Sequence, residues 1–149
     1  MIPKIIHYCW FGGAEKPIIV QQCMKSWYKF FPGWEFREWN EDNYDVNKIY
    51  FTSEAYHSKA WAFVSDYVRF DVLYQFGGIY LDTDVEMIKE LPPRFLELKA
   101  FTGMESNNLV SPGLIMGFIK NHPFLEEVML IYQNSHFLIE GKPSFKTVN

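Results

Sequence analysis

The sequence predicts an α/β fold with a Rossmann-like, mixed and mostly parallel sheet flanked by helices. Three observations predict it. An apolar run near the N-terminus stops on glycines, as a buried strand entering a loop does. A helix-period segment follows and gives way to alternating residues, which makes strand–helix–strand within about forty residues. Further on, a long helical stripe ends at Gly77-Gly78 and is followed by Ile79-Tyr80-Leu81 and two aspartates, Asp82 and Asp84.

Each element has its own signal. Lys4 to Trp10 is nearly all apolar, and Phe11-Gly12-Gly13 stops it. Pro17 opens a helix as a first-turn residue, and the pattern runs to about Phe31 through Ile19, Cys23, Trp27 and Phe30. Pro32-Gly33 ends it. Trp34 to Trp39 alternates apolar and polar residues, as a half-exposed strand does. Asn40 to Tyr50 is polar and turn-rich. One long helix is expected from about Ser53 to Phe76, with Phe63, Val64, Tyr67, Val68, Val72 and Phe76 on its stripe. Ile79 to Asp82 is the next strand, and Leu91-Pro92-Pro93 closes the segment behind it. Phe101 to Met104 reads as a strand. Ser111 to Phe118 reads as loop or strand, with Gly113 and Gly117. Asn121 or His122 caps a last helix that starts at Pro123 and runs to about Asn134. The stretch Gly141 to Asn149 has no stop signal and reads as the approach to another element.

Composition narrows the function. Aromatic residues make up 19% of the chain, with 5 Trp, 9 Tyr and 14 Phe. That surplus favours a ligand with stackable faces, a base or a sugar, although a phenylalanine-rich core accounts for it equally well. The net charge is −4 and no Lys/Arg run occurs, so nucleic acid is not expected as a partner. Cys9 and Cys23 read as reduced core thiols, ahead of a disulfide between them. No stretch suits a membrane span and no secretory leader is visible, so a cytoplasmic setting is expected.

The candidate chemistry centres on Asp82 and Asp84. Two hard carboxylates at a strand end, where α/β sheets bind their ligands, suit Mn²⁺ or Mg²⁺ carrying phosphate oxygens. If the chain is extended there, the two side chains face the same way. The bland alternative is a polar turn. Haloacid-dehalogenase phosphatases also place Asp-x-Asp after a strand, but they want Thr or Val where this chain has Glu86. Ser65-Asp66-Tyr67-Val68-Arg69 lies one helix earlier. Asp66 and Arg69 share a helix face, as a plain ion pair or as a clamp on hydroxyls and diphosphate. Trp10 reads either as a base-stacking residue or as core. His7 reads as a hydrogen-bonded core residue rather than a ligand, and His57, His122 and His136 have no metal spacing. There is no Gly-x-Gly-x-x-Gly, Walker or Gly-x-Ser-x-Gly motif.

Four blocks together carry a resemblance. They are residues 2–13 (Ile-Pro-Lys-Ile-Ile-His-Tyr-Cys-Trp-Phe-Gly-Gly), 62–69 (Ala-Phe-Val-Ser-Asp-Tyr-Val-Arg) and 73–84 (Leu-Tyr-Gln-Phe-Gly-Gly-Ile-Tyr-Leu-Asp-Thr-Asp), with the weaker Trp39-Asn40-Glu41. The chain resembles glycosyltransferase family 32, the DXD-motif sugar transferases. That family includes capsular and surface-polysaccharide enzymes and yeast mannosyltransferases, with clostridial glucosylating toxins as distant relatives. The resemblance implies one GT-A domain over residues 1–149, lacking the C-terminal part of the family domain. It implies retaining, metal-dependent transfer from a nucleotide-sugar donor, with UDP-sugars ahead of GDP-mannose. The acceptor would be a saccharide or lipid-linked, and the enzyme would work at the inner face of the membrane. By the same resemblance, Trp10 stacks on the base and backbone near Cys9 reads its edge. Asp66, beside Ser65, contacts ribose and sugar, and Arg69 contacts sugar or phosphate. Tyr80 lies near the donor. Asp82 contacts the ribose and, through water, the metal, which Asp84 ligates directly. The other class of function is a nucleotide-sugar-binding module without turnover.

Overall fold

A computed structural model describes residues 1–145. The tail expectation falls on Lys146 to Asn149 in part, and those four residues lie outside the described residues. The sheet holds β1 (Ile5–Cys9), β2 (Glu35–Trp39), β3 (Gly78–Tyr80), β4 (Ala100–Met104) and β5 (Val110–Phe118) in the order β2-β1-β3-β5-β4. β2, β1 and β3 are parallel neighbours, and β5 runs antiparallel between β3 and β4. Residues 111–118 therefore form a strand. A two-stranded hairpin, β6 (Leu138–Ile139) and β7 (Lys142–Pro143), has no clear sequence signal because each strand has two residues.

Strand alternation sends side chains to two cores. Ile6, Tyr8, Ile79 and Leu81 meet Trp27 and Phe31 on one face, beneath α1 (Ile18–Phe30). Cys9, Tyr80, Met116 and Phe118 meet the other face, under α3 (Trp61–Phe76), with α2 (Tyr50–His57) and α4 (Pro123–Gln133) beside it. Cys9 and Cys23 are both buried and free, so the thiol reading stands.

Two expected helices differ. Pro17 sits at the cap position and the first helix starts at Ile18. The single helix expected over 53–76 is two helices. α2 begins at Tyr50, and the chain breaks at Ser58-Lys59-Ala60, where Lys59 has φ 57° and Ala60 N–H donates to Ala55 O at 2.9 Å. No Gly or Pro marks that break, and the apolar stripe continues on both sides of it, so periodicity alone reads straight through. His122 caps α4 by accepting from Phe124 N–H, with Pro123 first, as expected. No described helix is long and apolar enough to cross a membrane.

Gly77 and Gly78 let the chain leave α3 and enter β3 tightly against its neighbours. A Cβ on Gly78 would lie 2.7 Å from Ile5 O, and both glycines have positive φ. Gly77 O accepts from His7 Nε2 at 2.8 Å, while His7 Nδ1 accepts from Trp39 Nε1–H at 3.0 Å. His7 is fully buried, and burial lowers its pKa to about 4. It is a neutral core residue, as expected.

Candidate active site

The carboxyl ends of β1 and β3 and the first turns of α3 enclose a cleft of about 560 Å³. Cys9, Trp10, Ser65, Arg69, Tyr80, Asp82 and Asp84 all line it. Asp66 joins through Arg69, whose Nη2 lies 3.1 Å from Asp66 Oδ1. The structure thus brings together every site residue expected from the sequence.

Arg69 organises the centre. It is buried, with its guanidinium 5.0 Å from the Tyr80 ring centroid. Its Nε donates to Ser65 O at 3.1 Å, and its Nη2 reaches Asp82 Oδ1 at 3.2 Å. Tyr80 Oη–H donates to the same Asp82 oxygen at 3.0 Å. Burial alone would lower the Arg69 pKa, but Tyr80, Asp82 and Asp66 outweigh it and hold the group charged. Burial raises the Asp66 pKa, opposed by Arg69 and assisted by Asp82. Burial pushes the Cys9 thiol up to about 12, so Cys9 offers the cleft backbone and a neutral side chain.

The acidic pair is not on extended chain. Val85 N–H donates to Asp82 O at 3.1 Å, which closes Asp82-Thr83-Asp84-Val85 into a turn. The strand expected to run to Asp82 ends at Tyr80, so the condition of an extended chain is not met, and the turn, not the pleat, carries both carboxylates to the cleft wall. Asp84 is exposed and takes no hydrogen bond or ion pair among the described residues.

These residues fit a hard divalent cation. Asp84 lines the cleft with no cation paired to it among the described residues, and Asp82 lines it with Oδ1 held by Arg69 and Tyr80 and Oδ2 beside Gly113, so both supply carboxylate oxygen donors. No group of three His, Cys, Asp or Glu side chains converges among the described residues. The protein thus offers two carboxylates, and phosphate oxygens and water would complete the shell.

Trp10 forms a wall of the cleft. Its Nε1–H donates to Ala14 O at 2.7 Å, and Lys16 Nζ lies 5.6 Å from its ring centroid. Glu41 anchors the glycine loop behind it by accepting from Gly12 N–H at 2.8 Å. Sequence reasoning missed Gly113 as a site residue. Its carbonyl accepts from Asp82 N–H at 2.8 Å, and a Cβ there would lie 1.9 Å from Asp82 Oδ2. The only sequence trace was a glycine inside an apolar strand, which often marks a close approach.

The family described as "Glycosyltransferase sugar-binding region containing DXD motif" matches residues 17–111, which include the acidic turn and the Asp66–Arg69 pair. Inositol phosphoceramide mannosyltransferase 3 of Schizosaccharomyces pombe is 33% identical over 136 residues, 86% of this chain and 36% of that protein. Human alpha-1,4-N-acetylglucosaminyltransferase is 38% identical over 65 residues, 44% of this chain and 17% of that protein. Among solved structures, the chain named PaToxG Glycosyltransferase superposes with a TM-score of 0.64 at 16% identity, covering 89% of this chain and 60% of that one. That likeness is one of fold, and the fold is of GT-A type. This chain spans about a third of the length of the yeast relative. With its family match over most of its length and the motif's aspartates on one cleft wall, the chain belongs to the DXD-containing glycosyltransferase sugar-binding family.

Proposed function

We propose that the cleft binds a nucleotide-sugar through a divalent cation and transfers its sugar with retention of configuration. The observation that carries this reading is the charge of the site. Two carboxylates, Asp66 and Asp82, pair with one guanidinium, Arg69, while Asp84 and Glu15 line the same cleft with no ion pair among the described residues, so carboxylates outnumber cations there. Such a site binds a diphosphate more weakly alone than together with a divalent cation. Asp84 and Asp82 would hold the ion, and Mn²⁺ or Mg²⁺ would neutralise charge gathering on the leaving diphosphate.

The chain's own residues do the rest. Trp10 offers a ring for the base, and backbone near Cys9 and Ser65 lies along the same wall. Arg69, already fixed by Tyr80, Ser65 and two carboxylates, presents a charge that needs no reorganisation as the glycosidic bond breaks. Asp66 accepts from hydroxyl groups of the donor. The names of the relatives indicate a mannosyl transfer in one and an N-acetylglucosaminyl transfer in the other, so they differ in the sugar moved. We favour a UDP-sugar over GDP-mannose and a saccharide or lipid-linked acceptor. We place the enzyme in surface or capsular polysaccharide synthesis, on the cytoplasmic side of a membrane with peripheral attachment.

The test is a panel of UDP-glucose, UDP-galactose, their N-acetyl forms and GDP-mannose, each with and without Mn²⁺. Mn²⁺-dependent thermal stabilisation by one donor, with nucleoside diphosphate released, is the expected result, because a ligand bound only to the native state raises its melting temperature. Stabilisation without release would favour a nucleotide-sugar-binding module without turnover. No stabilisation by any donor would refute both.

A further inference from the structure

Asp82 is aimed by side chains, since Arg69 and Tyr80 both bond its Oδ1. Asp84 has no such tether among the described residues, so its place depends on the backbone that carries it. That backbone leaves the acidic turn as Val85–Met87, outside every strand. Two neighbouring residues of α1 hold it from below. Trp27 Nε1–H donates to Val85 O at 2.7 Å. Ser26 Oγ accepts from Met87 N–H at 2.8 Å and donates to Cys23 O at 2.5 Å, so both roles of the hydroxyl are used. Trp27 is fully buried, with its ring edge-on to Tyr8 at 5.4 Å. Val85 is thus fixed at both ends of its residue, through N–H to the turn and through O to the helix.

We propose that Ser26 and Trp27 are positioning residues that hold the acidic turn so that Asp84 meets the cation. The inference rests on the reading of Asp84 as a cation ligand. A carboxylate on an unclamped turn is in its binding geometry only part of the time, and apparent affinity falls by that fraction. The helix face that looks like plain core from the sequence therefore has a second task, and neither residue touches the cleft.

The experiment uses the 149-residue chain and the variants Ser26→Ala, Ser26→Thr and Trp27→Phe. Free Mn²⁺ is followed by electron paramagnetic resonance during titration in saturating UDP. UDP affinity without metal, thermal unfolding and amide exchange at 85–87 are measured alongside. Ser26→Ala and Trp27→Phe are expected to weaken Mn²⁺ binding about 3- to 10-fold, the effect of one lost hydrogen bond. Their metal-free UDP affinity stays unchanged, exchange at 85–87 rises, and Ser26→Thr restores Mn²⁺ affinity. Unchanged Mn²⁺ affinity in both variants overturns the inference alone. Loss of metal-free UDP binding together with Mn²⁺ binding overturns it too, since the residues would then support the domain in general. A wild-type chain that binds no Mn²⁺ overturns the cation reading and this inference with it.

Discussion

Replacing Gly113 with alanine adds one methyl group at the most crowded point of the acidic site. The new Cβ would lie 1.9 Å from Asp82 Oδ2, 2.8 Å from Asp82 Cγ and 3.2 Å from Arg69 Nη1. Gly113 has no positive φ, so the backbone accepts alanine and the whole effect is steric. The carboxylate must retreat by roughly 1.5 Å to restore ordinary contact, and a displacement of about 1 Å in a reacting constellation already lowers rates by about 10²-fold. The retreat also strains the bonds from Arg69 and Tyr80 to Asp82. Overpacking of this kind costs about 1–3 kcal/mol of stability. The domain should stay folded, because the clash opens toward a cleft rather than a closed core. Calorimetry of UDP with and without Mn²⁺, beside a urea melt, separates the two effects. The expected outcome is at least tenfold weaker Mn²⁺-dependent binding with a shallow loss of stability. Wild-type affinity in a folded Gly113→Ala chain would refute the claim that this strand shapes the acidic site.

Three further outcomes follow from the same contacts. Tyr80→Phe removes the bond to Asp82 at 3.0 Å and should weaken Mn²⁺-dependent UDP binding by about 0.5–1.5 kcal/mol; equal affinity by calorimetry would show that Arg69 alone orients Asp82. Trp10→Ala should weaken UDP itself by ~1–3 kcal/mol, the usual worth of a stacked base, and an unaltered affinity would remove Trp10 from the site. His7 titrates at about 4 in the folded chain against 6.5 when unfolded, so the unfolded state gains the proton first as pH falls. Its contribution, on the order of 3 kcal/mol, is complete above the unfolded pKa and is lost as pH drops toward the folded one. Urea unfolding at about pH 7 and about pH 5 should show a smaller fall in a His7→Gln variant, and equal falls would contradict the assignment.

Much of this was legible in the sequence, because the informative signals are local. Gly77-Gly78 before Ile79-Tyr80-Leu81 announces a helix stop and a buried strand, and the structure shows both. Asp66 and Arg69 are three apart on a helix, and they pair at 3.1 Å. What stayed hidden acts over long separations or without marker residues. Gly113 meets Asp82 just beyond the antiparallel pairing of β3 with β5, a contact set by the chain's return and not by any spacing. Trp27 reaches Val85 from 58 positions away, and its indole looks like ordinary core in a helical stripe. The break at Lys59 adopts a left-handed backbone without the glycine that usually announces one. The strand expected over Ile79 to Asp82 stops at Tyr80, and the polar turn that was the alternative for the acidic pair is the one that forms, closed by a backbone bond no residue type marks.

The central claim is that one cation joins the acidic turn to a diphosphate in the cleft between Trp10 and Arg69. Anomalous diffraction at the manganese edge, from crystals grown with Mn²⁺ and UDP, tests it most directly. A single peak is expected within bonding distance of the Asp84 carboxylate, absent in crystals of Asp84→Ala. A peak away from the turn, or UDP bound in the cleft with no peak beside it, would contradict the account.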